Sequence, residues 1–211
     1  MVSPEERVSP GGVLALWKPW GHVTGWNEKG GHPGLAPLLA GARLGPDVRP
    51  VGRLDHDSEG LLLLTADGAL SHALTDPRGG HPRTYWAQVE RVPDEAALDR
   101  LRAGVPLDGR PTRPCQARLL AEEPALPPRP VPIRARKSVP TAWVELVLSE
   151  GRNRQVRRVT AAVGHPTLRL VRAAVGPLRL LELGLQPGSW RWLTAAEEQG
   201  LRAMAGRGGR G

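Results

Sequence analysis

The stretch Gly52-Arg53-Leu54-Asp55-His56-Asp57-Ser58-Glu59-Gly60 crowds ionisable and hydroxyl side chains immediately before the apolar run Leu61 to Leu64. A carboxylate on a loop carried by a rigid strand can act as nucleophile or general base, and Arg53 beside it favours the ionised form. A polar turn whose Asp and Ser side chains merely satisfy nearby backbone groups explains the same composition. A metal site at Asp55, His56 and Asp57 is a third reading, although adjacent residues rarely converge on one ion without ligands from elsewhere.

A second cluster is Glu150-Gly151-Arg152-Asn153-Arg154-Gln155-Val156-Arg157-Arg158. Read as part of a helix over residues 152–163, it sets Arg154 beside Arg157 and Arg158 at i+3 and i+4. Crowded guanidinium groups are unfavourable on an isolated helix unless phosphate, or a carboxylate from another segment, offsets them. Phosphate binding is therefore the functional reading and a solvated basic face the bland one. Arg169 and Arg172 thicken the same region. The third candidate is Arg83-Thr84-Tyr85-Trp86, where the chain's single tyrosine lies on a predicted strand. It is either a core residue with its hydroxyl bonded or a platform on which a base stacks.

These groups need rigid elements to hold them. Short apolar runs predict strands at Val13 to Trp17, Leu61 to Thr65, Thr84 to Val89, Thr141 to Leu148 and Thr167 to Val175. Short helices are expected near residues 35–42, over 69–75 and after Pro93, the last ended by Gly104. Thr194 to Glu197 has the form of a capping box opening a final helix. Residues 122–140 carry six prolines with Arg129, Arg134, Arg136 and Lys137, and read as an extended basic loop. Strands outnumber helices without strict alternation, which predicts an α+β class with a mixed, mostly antiparallel sheet.

Across 211 residues the net charge is +8, and Lys18, Lys29 and Lys137 are the only lysines among 29 basic residues. An arginine excess of that kind suits phosphates and base edges, so nucleic acid is the first partner to expect. One cysteine, Cys115, excludes a disulfide framework and a Cys-based zinc site. No apolar run approaches the roughly 18–20 residues that span a membrane. A cytoplasmic protein with no membrane partner is the expectation.

Taken in order, Gly52 to Asp55 with Gly60 to Gly68, the Tyr85 strand, and Gly151 to Arg158 resemble the motifs of the pseudouridine synthases related to the small-ribosomal-subunit synthase A. Pro132 to Trp143 and Gly164 to Arg172 resemble a branch of that family that modifies the large-subunit (23S) ribosomal RNA. The resemblance runs from about Val13 to Trp192. It implies the pseudouridine synthase fold: two lobes of sheet flanked by helices, with a central active-site cleft. It also implies that Asp55 is the catalytic aspartate, that Tyr85 stacks on the target base, and that Arg157 pairs with the aspartate, Arg154 being the alternative. Leu170 would line the uracil pocket. Arg53, Arg83, Arg152, Arg154, Arg158 and Arg172 would bind substrate, and no cofactor and no metal are called for.

The expected organisation is a flexible leader at 1–12, a catalytic domain at 13–203 without an S4-type RNA-binding domain, and a Gly/Arg tail at 204–211. The expected partner is large-subunit ribosomal RNA, not DNA, bound by a monomer whose Pro-rich loop grips flanking RNA. A non-catalytic basic rRNA-binding or assembly protein on the same fold is the competing reading. A metal-dependent nuclease using Asp55, Asp57 and Glu59 is a weaker one.

Overall fold

Val13 to Trp17 and Leu61 to Leu64 are unbroken apolar runs because the strands they form are covered on both faces. A computed structural model describes residues 12–133 and 138–207. Nearly all of the expected leader, the end of the tail, and Arg134, Arg136 and Lys137 of the Pro-rich loop lie outside the described residues.

The first half-sheet contains β1 (Val13–Lys18), β2 (Arg49–Val51) and β3 (Glu59–Thr65). Side chains alternate across it. Val13, Ala15, Trp17, Leu61 and Leu63 pack on one face, toward α1 (Gly68–Thr75) and Leu201 of the final helix. Leu14, Leu16, Leu62 and Leu64 pack on the other, under Leu35, Leu39, Val48 and Leu54. The second half-sheet is built on β4 (Arg83–Glu90), followed by α2 (Glu95–Ala103), the short ribbon β5 (Pro106–Leu107) and β6 (Arg110–Pro111), then β7 (Gln116–Leu119) and β8 (Thr141–Leu148). Then come α3 (Gln155–Ala162), β9 (Thr167–Val175), β10 (Leu178–Arg179), β11 (Trp190–Trp192) and α4 (Ala195–Arg207). Ala87, Val89, Val144 and Leu146 meet Leu98 and Leu101 of α2 and Val156 and Val159 of α3 in a separate core.

The strand order is β11-β1-β3-β9-β4-β8-β7, with β2 on β3 and β10 on β9. Among the described residues only β3 and β9 pair in parallel, through Glu59 with Val171 and Gly60 with Arg172. That short joint links the two lobes, so the architecture is the α+β fold expected. Gly60 takes φ +111°, and a Cβ there would lie 2.4 Å from the Arg172 carbonyl oxygen. Only glycine allows the two strands this approach.

The helix ends follow the sequence signals. Asp67 caps α1 by accepting from the Leu70 amide, and Asp94 caps α2 by accepting from that of Ala97. Thr194 and Glu197 exchange hydrogen bonds as a capping box at α4, which continues to Arg207, past the expected boundary at 203. Residues 35–42 differ from expectation: they form successive turns, not a helix. Pro37 and Gly41 interrupt the run, while Leu35 and Leu39 are spent covering the outer face of β1 and β3.

Candidate active site

A cleft of about 400 Å³ opens where the lobes meet, a size suited to one nucleoside. Arg53, Asp55, Arg83, Tyr85, Arg152, Arg154, Leu170 and Arg172 line it, so residues far apart in sequence share one cavity.

Asp55 lies in the loop between β2 and β3. Thr24 clips that loop from outside: its hydroxyl donates to the Leu54 carbonyl at 2.7 Å and accepts from the Leu54 amide at 3.0 Å. The Gly21 amide holds the His56 carbonyl at 2.7 Å, and the Ser58 amide turns back to the Asp55 carbonyl at 3.0 Å. The His32 ring stacks on His56 at 4.0 Å between centroids. With Leu54 and Ser58 buried on either side, the Asp55 side chain remains about one-third exposed on the cleft.

Tyr85 projects from β4 and touches both the second-lobe core and the outer core of the first lobe. Opposite it, β9 is irregular: Thr84 pairs with Ala174 but Tyr85 with Arg172, the kind of bulge that re-aims side chains at a site. Arg172 is buried beneath, its Nε donating to the Leu61 carbonyl at 2.7 Å. Burial pushes its pKa down and the adjacent Tyr85 hydroxyl pulls it back up. Arg172 thus stands beside Tyr85 in the wall of the cleft, with its Nε committed to the Leu61 carbonyl.

The arginines of the second cluster separate by partner. Arg154 precedes α3 instead of lying within it, at φ +48°. Its guanidinium grips Asp57 at 2.8 and 3.1 Å and reaches Asp55 at 3.3 Å. Arg157 was expected to pair with Asp55. It instead lies 3.2 Å from the Asp57 carboxylate and donates to the Asp57 and Thr167 carbonyls at 2.9 and 3.1 Å. The reason is local: α3 begins only at Gln155, which carries Arg157 behind the loop and leaves Arg154 at its mouth. Arg158 turns away from the cleft to Asp108 on the β5–β6 ribbon, at 2.6 Å. Arg152 donates to the carbonyls of Arg110 and Pro111, at 3.1 and 2.6 Å. Among the described residues, no carboxylate lies within salt-bridge distance of Arg53 or Arg83, both on the cleft.

Asp57 holds its charge. Burial would raise its pKa, but the hydrogen bonds from Arg154 and the charge of Arg157 bring it below the usual carboxylate range. Both Asp57 oxygens are thus committed, and among the described residues no three His, Cys, Asp or Glu side chains gather as metal ligands. Arg129 of the Pro-rich loop lies over Trp20 at 5.4 Å from the ring centroid.

Sequence reasoning passed over Lys18, although a lone lysine closing an apolar strand in an arginine-rich chain was a signal. Its side chain is fully buried, and Nζ donates to the carbonyls of Pro19 and His22 at 3.0 and 2.5 Å. Burial pushes its pKa down from 10.5 to about 8, against the upward pull of Glu59, Asp57 and Asp55. A lysine with a folded pKa below its unfolded one lowers stability while charged, and that penalty fades as pH rises from about 8 to 10.5. Wild-type stability is therefore expected to rise over this window relative to Lys18→Met, measured by denaturant unfolding at pH 7.5 and 10. A difference that stays constant with pH refutes the assignment.

Comparison with known proteins gives a consistent neighbourhood. A family described as RNA pseudouridylate synthase matches residues 38–162. The chain is 56% identical over 168 residues to ribosomal large subunit pseudouridine synthase E of Xanthomonas axonopodis pv. citri, covering 80% of this chain and 87% of that protein. It is 34% identical over 203 residues to ribosomal large subunit pseudouridine synthase B of Bacillus subtilis, covering 96% and 76%. A crystal structure of a pseudouridylate synthase superposes with a TM-score of 0.73 at 30% identity, covering 92% of this chain and 75% of that one.

Proposed function

The chain belongs to the RNA pseudouridylate synthase family, and from that premise we propose that it isomerises a uridine of large-subunit (23S) ribosomal RNA to pseudouridine. The observation that carries the reading is the convergence of Asp55, Tyr85 and Arg154 on one nucleoside-sized cleft.

The reaction breaks the N1–C1′ bond, turns the uracil and rejoins it through C5, with the C5 proton lost and N1 protonated. Asp55 supplies the carboxylate, as nucleophile at C1′ or as the base that assists glycal formation; either role needs the ionised form. Arg154, 3.3 Å away, aims it. The target must leave its stack, at a cost of a few kcal/mol that stacking on Tyr85 and contacts from Arg53 and Arg83 to phosphate offset. Leu170, buried on β9, gives the pocket an apolar wall.

Tyr85→Phe is expected to keep the rate within a few-fold, since the ring stacks and the hydroxyl faces Arg172. Tyr85→Ala is expected to lose the roughly 1–3 kcal/mol of base stacking, a fall of about 5- to 150-fold. Single-turnover kinetics decide; a Phe variant as slow as the Ala variant would assign proton transfer to the hydroxyl instead.

The same reading makes the protein a cytoplasmic monomer acting on RNA and not DNA. No helix among the described residues is long and apolar enough to cross a membrane. The decisive experiment incubates the purified chain with large-subunit rRNA and maps pseudouridine. One new pseudouridine is the expected result, and RNA affinity without product would favour an assembly protein.

A further inference from the structure

We propose that Gln155, braced by Glu150, is a positioning residue that presents Arg154 to Asp55; this rests on Asp55 being the reactive carboxylate. Arg154 adopts φ +48°, a left-handed backbone that non-glycine residues keep only where their surroundings enforce it. It also stands at the N-cap of α3 with no side-chain capping bond, a position that Ser, Thr, Asp or Asn would normally take. Something else must therefore set this turn.

The Gln155 side chain does so. It is buried, its Oε1 accepts from the Arg152 amide at 2.9 Å, and its Nε2 donates to Glu150 Oε1 at 2.7 Å. The same Glu150 oxygen accepts from the Arg113 amide at 2.9 Å, which ties the turn to the loop between β6 and β7. On the other side, the Arg152 guanidinium fastens the turn to the β5–β6 ribbon through the carbonyls of Arg110 and Pro111. Arg154 stands between these two anchors, and its guanidinium reaches across to Asp57 and Asp55.

A side-chain amide suits the place because one donor and one acceptor are needed there at once. Methionine would fill the volume and supply neither, leaving the Arg152 amide unanchored. A misplacement of the order of 1 Å at a reacting group can cost about 100-fold in rate, so a loosened turn should be read in the chemical step.

The test compares wild type, Gln155→Met, Arg154→Ala and the double variant in single-turnover pseudouridine formation on a large-subunit rRNA fragment, with RNA affinity measured alongside. Gln155→Met is expected to lower the rate about 10- to 100-fold, leaving RNA affinity within about threefold. Made in the Arg154→Ala background, the same substitution should change the rate less than about twofold, because its effect passes through Arg154. Equal fold losses in both backgrounds overturn the proposal. If Gln155→Met does not fold, Glu150→Gln, which removes the charge of the brace and one of its two acceptor oxygens, carries the same four-way comparison with a smaller expected loss of about threefold. A wild-type chain that binds rRNA without product overturns the functional reading and this one together, whereas additive losses in an active enzyme overturn this one alone.

Discussion

Asp55→Asn is expected to abolish pseudouridine formation, by at least about 10³-fold in single-turnover rate, while the protein stays folded and binds RNA nearly as before. The substitution keeps shape and removes charge. Whether the carboxylate attacks C1′ or assists glycal formation, an amide does neither, so the loss does not depend on the route. Its neighbour cannot take over, because both Asp57 oxygens are engaged by Arg154.

Stability should hardly change. The Asp55 side chain is about one-third exposed and its only described side-chain bond is the 3.3 Å contact from Arg154. Pairs of that kind contribute about 0–1 kcal/mol, and Arg154 keeps its stronger grip on Asp57. The measurement is pseudouridine yield per enzyme against time, with melting temperature and RNA affinity beside it. Residual activity within tenfold of wild type would remove Asp55 from the chemistry. Loss of activity together with a large fall in melting temperature would assign it a structural task.

The contrast between Asp55 and Asp57 shows what a sequence can and cannot display. Both carboxylates stand two residues apart in one polar run, and composition alone treats them alike. The resemblance singled out Asp55; the structure shows why Asp57 differs, since Arg154 just before α3 and Arg157 within it both reach Asp57. The long strands were legible because burial on both faces writes itself as an unbroken apolar run, and the helix ends because Asp and Thr caps have local signatures. The short strands β5, β6, β7, β10 and β11 were not, since two to four residues carrying Pro or Arg hold strand geometry only through pairing with neighbours far along the chain. Nor was the fate of each arginine. Arg154, Arg157, Arg158 and Arg169 look equivalent in sequence, yet the first two share Asp57 while Arg158 takes Asp108 and Arg169 takes Glu59, and only tertiary structure says which cations remain for RNA. The left-handed backbone of Arg154 lay beyond reach for the same reason, being imposed by Gln155 and Arg152 against helix propensity.

The joint between the lobes is expected to be where stability is most vulnerable. Glu59, the first residue of β3, and Arg169 of β9 form a two-pronged ion pair with both bonds at 2.9 Å, and the side chains are only 3% and 6% exposed. The Pro127 carbonyl takes a further bond from Arg169 at 2.9 Å, so the Pro-rich loop straps the same place. Removing one member leaves the other charged and without water. Arg169→Met should cost about 3–5 kcal/mol, which in a protein of this size is roughly 6–20 °C in Tm. The double variant Glu59→Leu with Arg169→Leu should melt closer to wild type than either single change, because it buries no lone charge. Since β3 leads out of the Asp55 loop and β9 carries Leu170 and Arg172, the single variants should also lose activity below their melting points, as the two walls of the cleft lose their common register. Thermal unfolding of the four proteins at pH 7 separates the possibilities. If Arg169→Met melts within about 2 °C of wild type, the pair holds nothing together, and the lobes are joined by the β3–β9 backbone pairing and its packing instead.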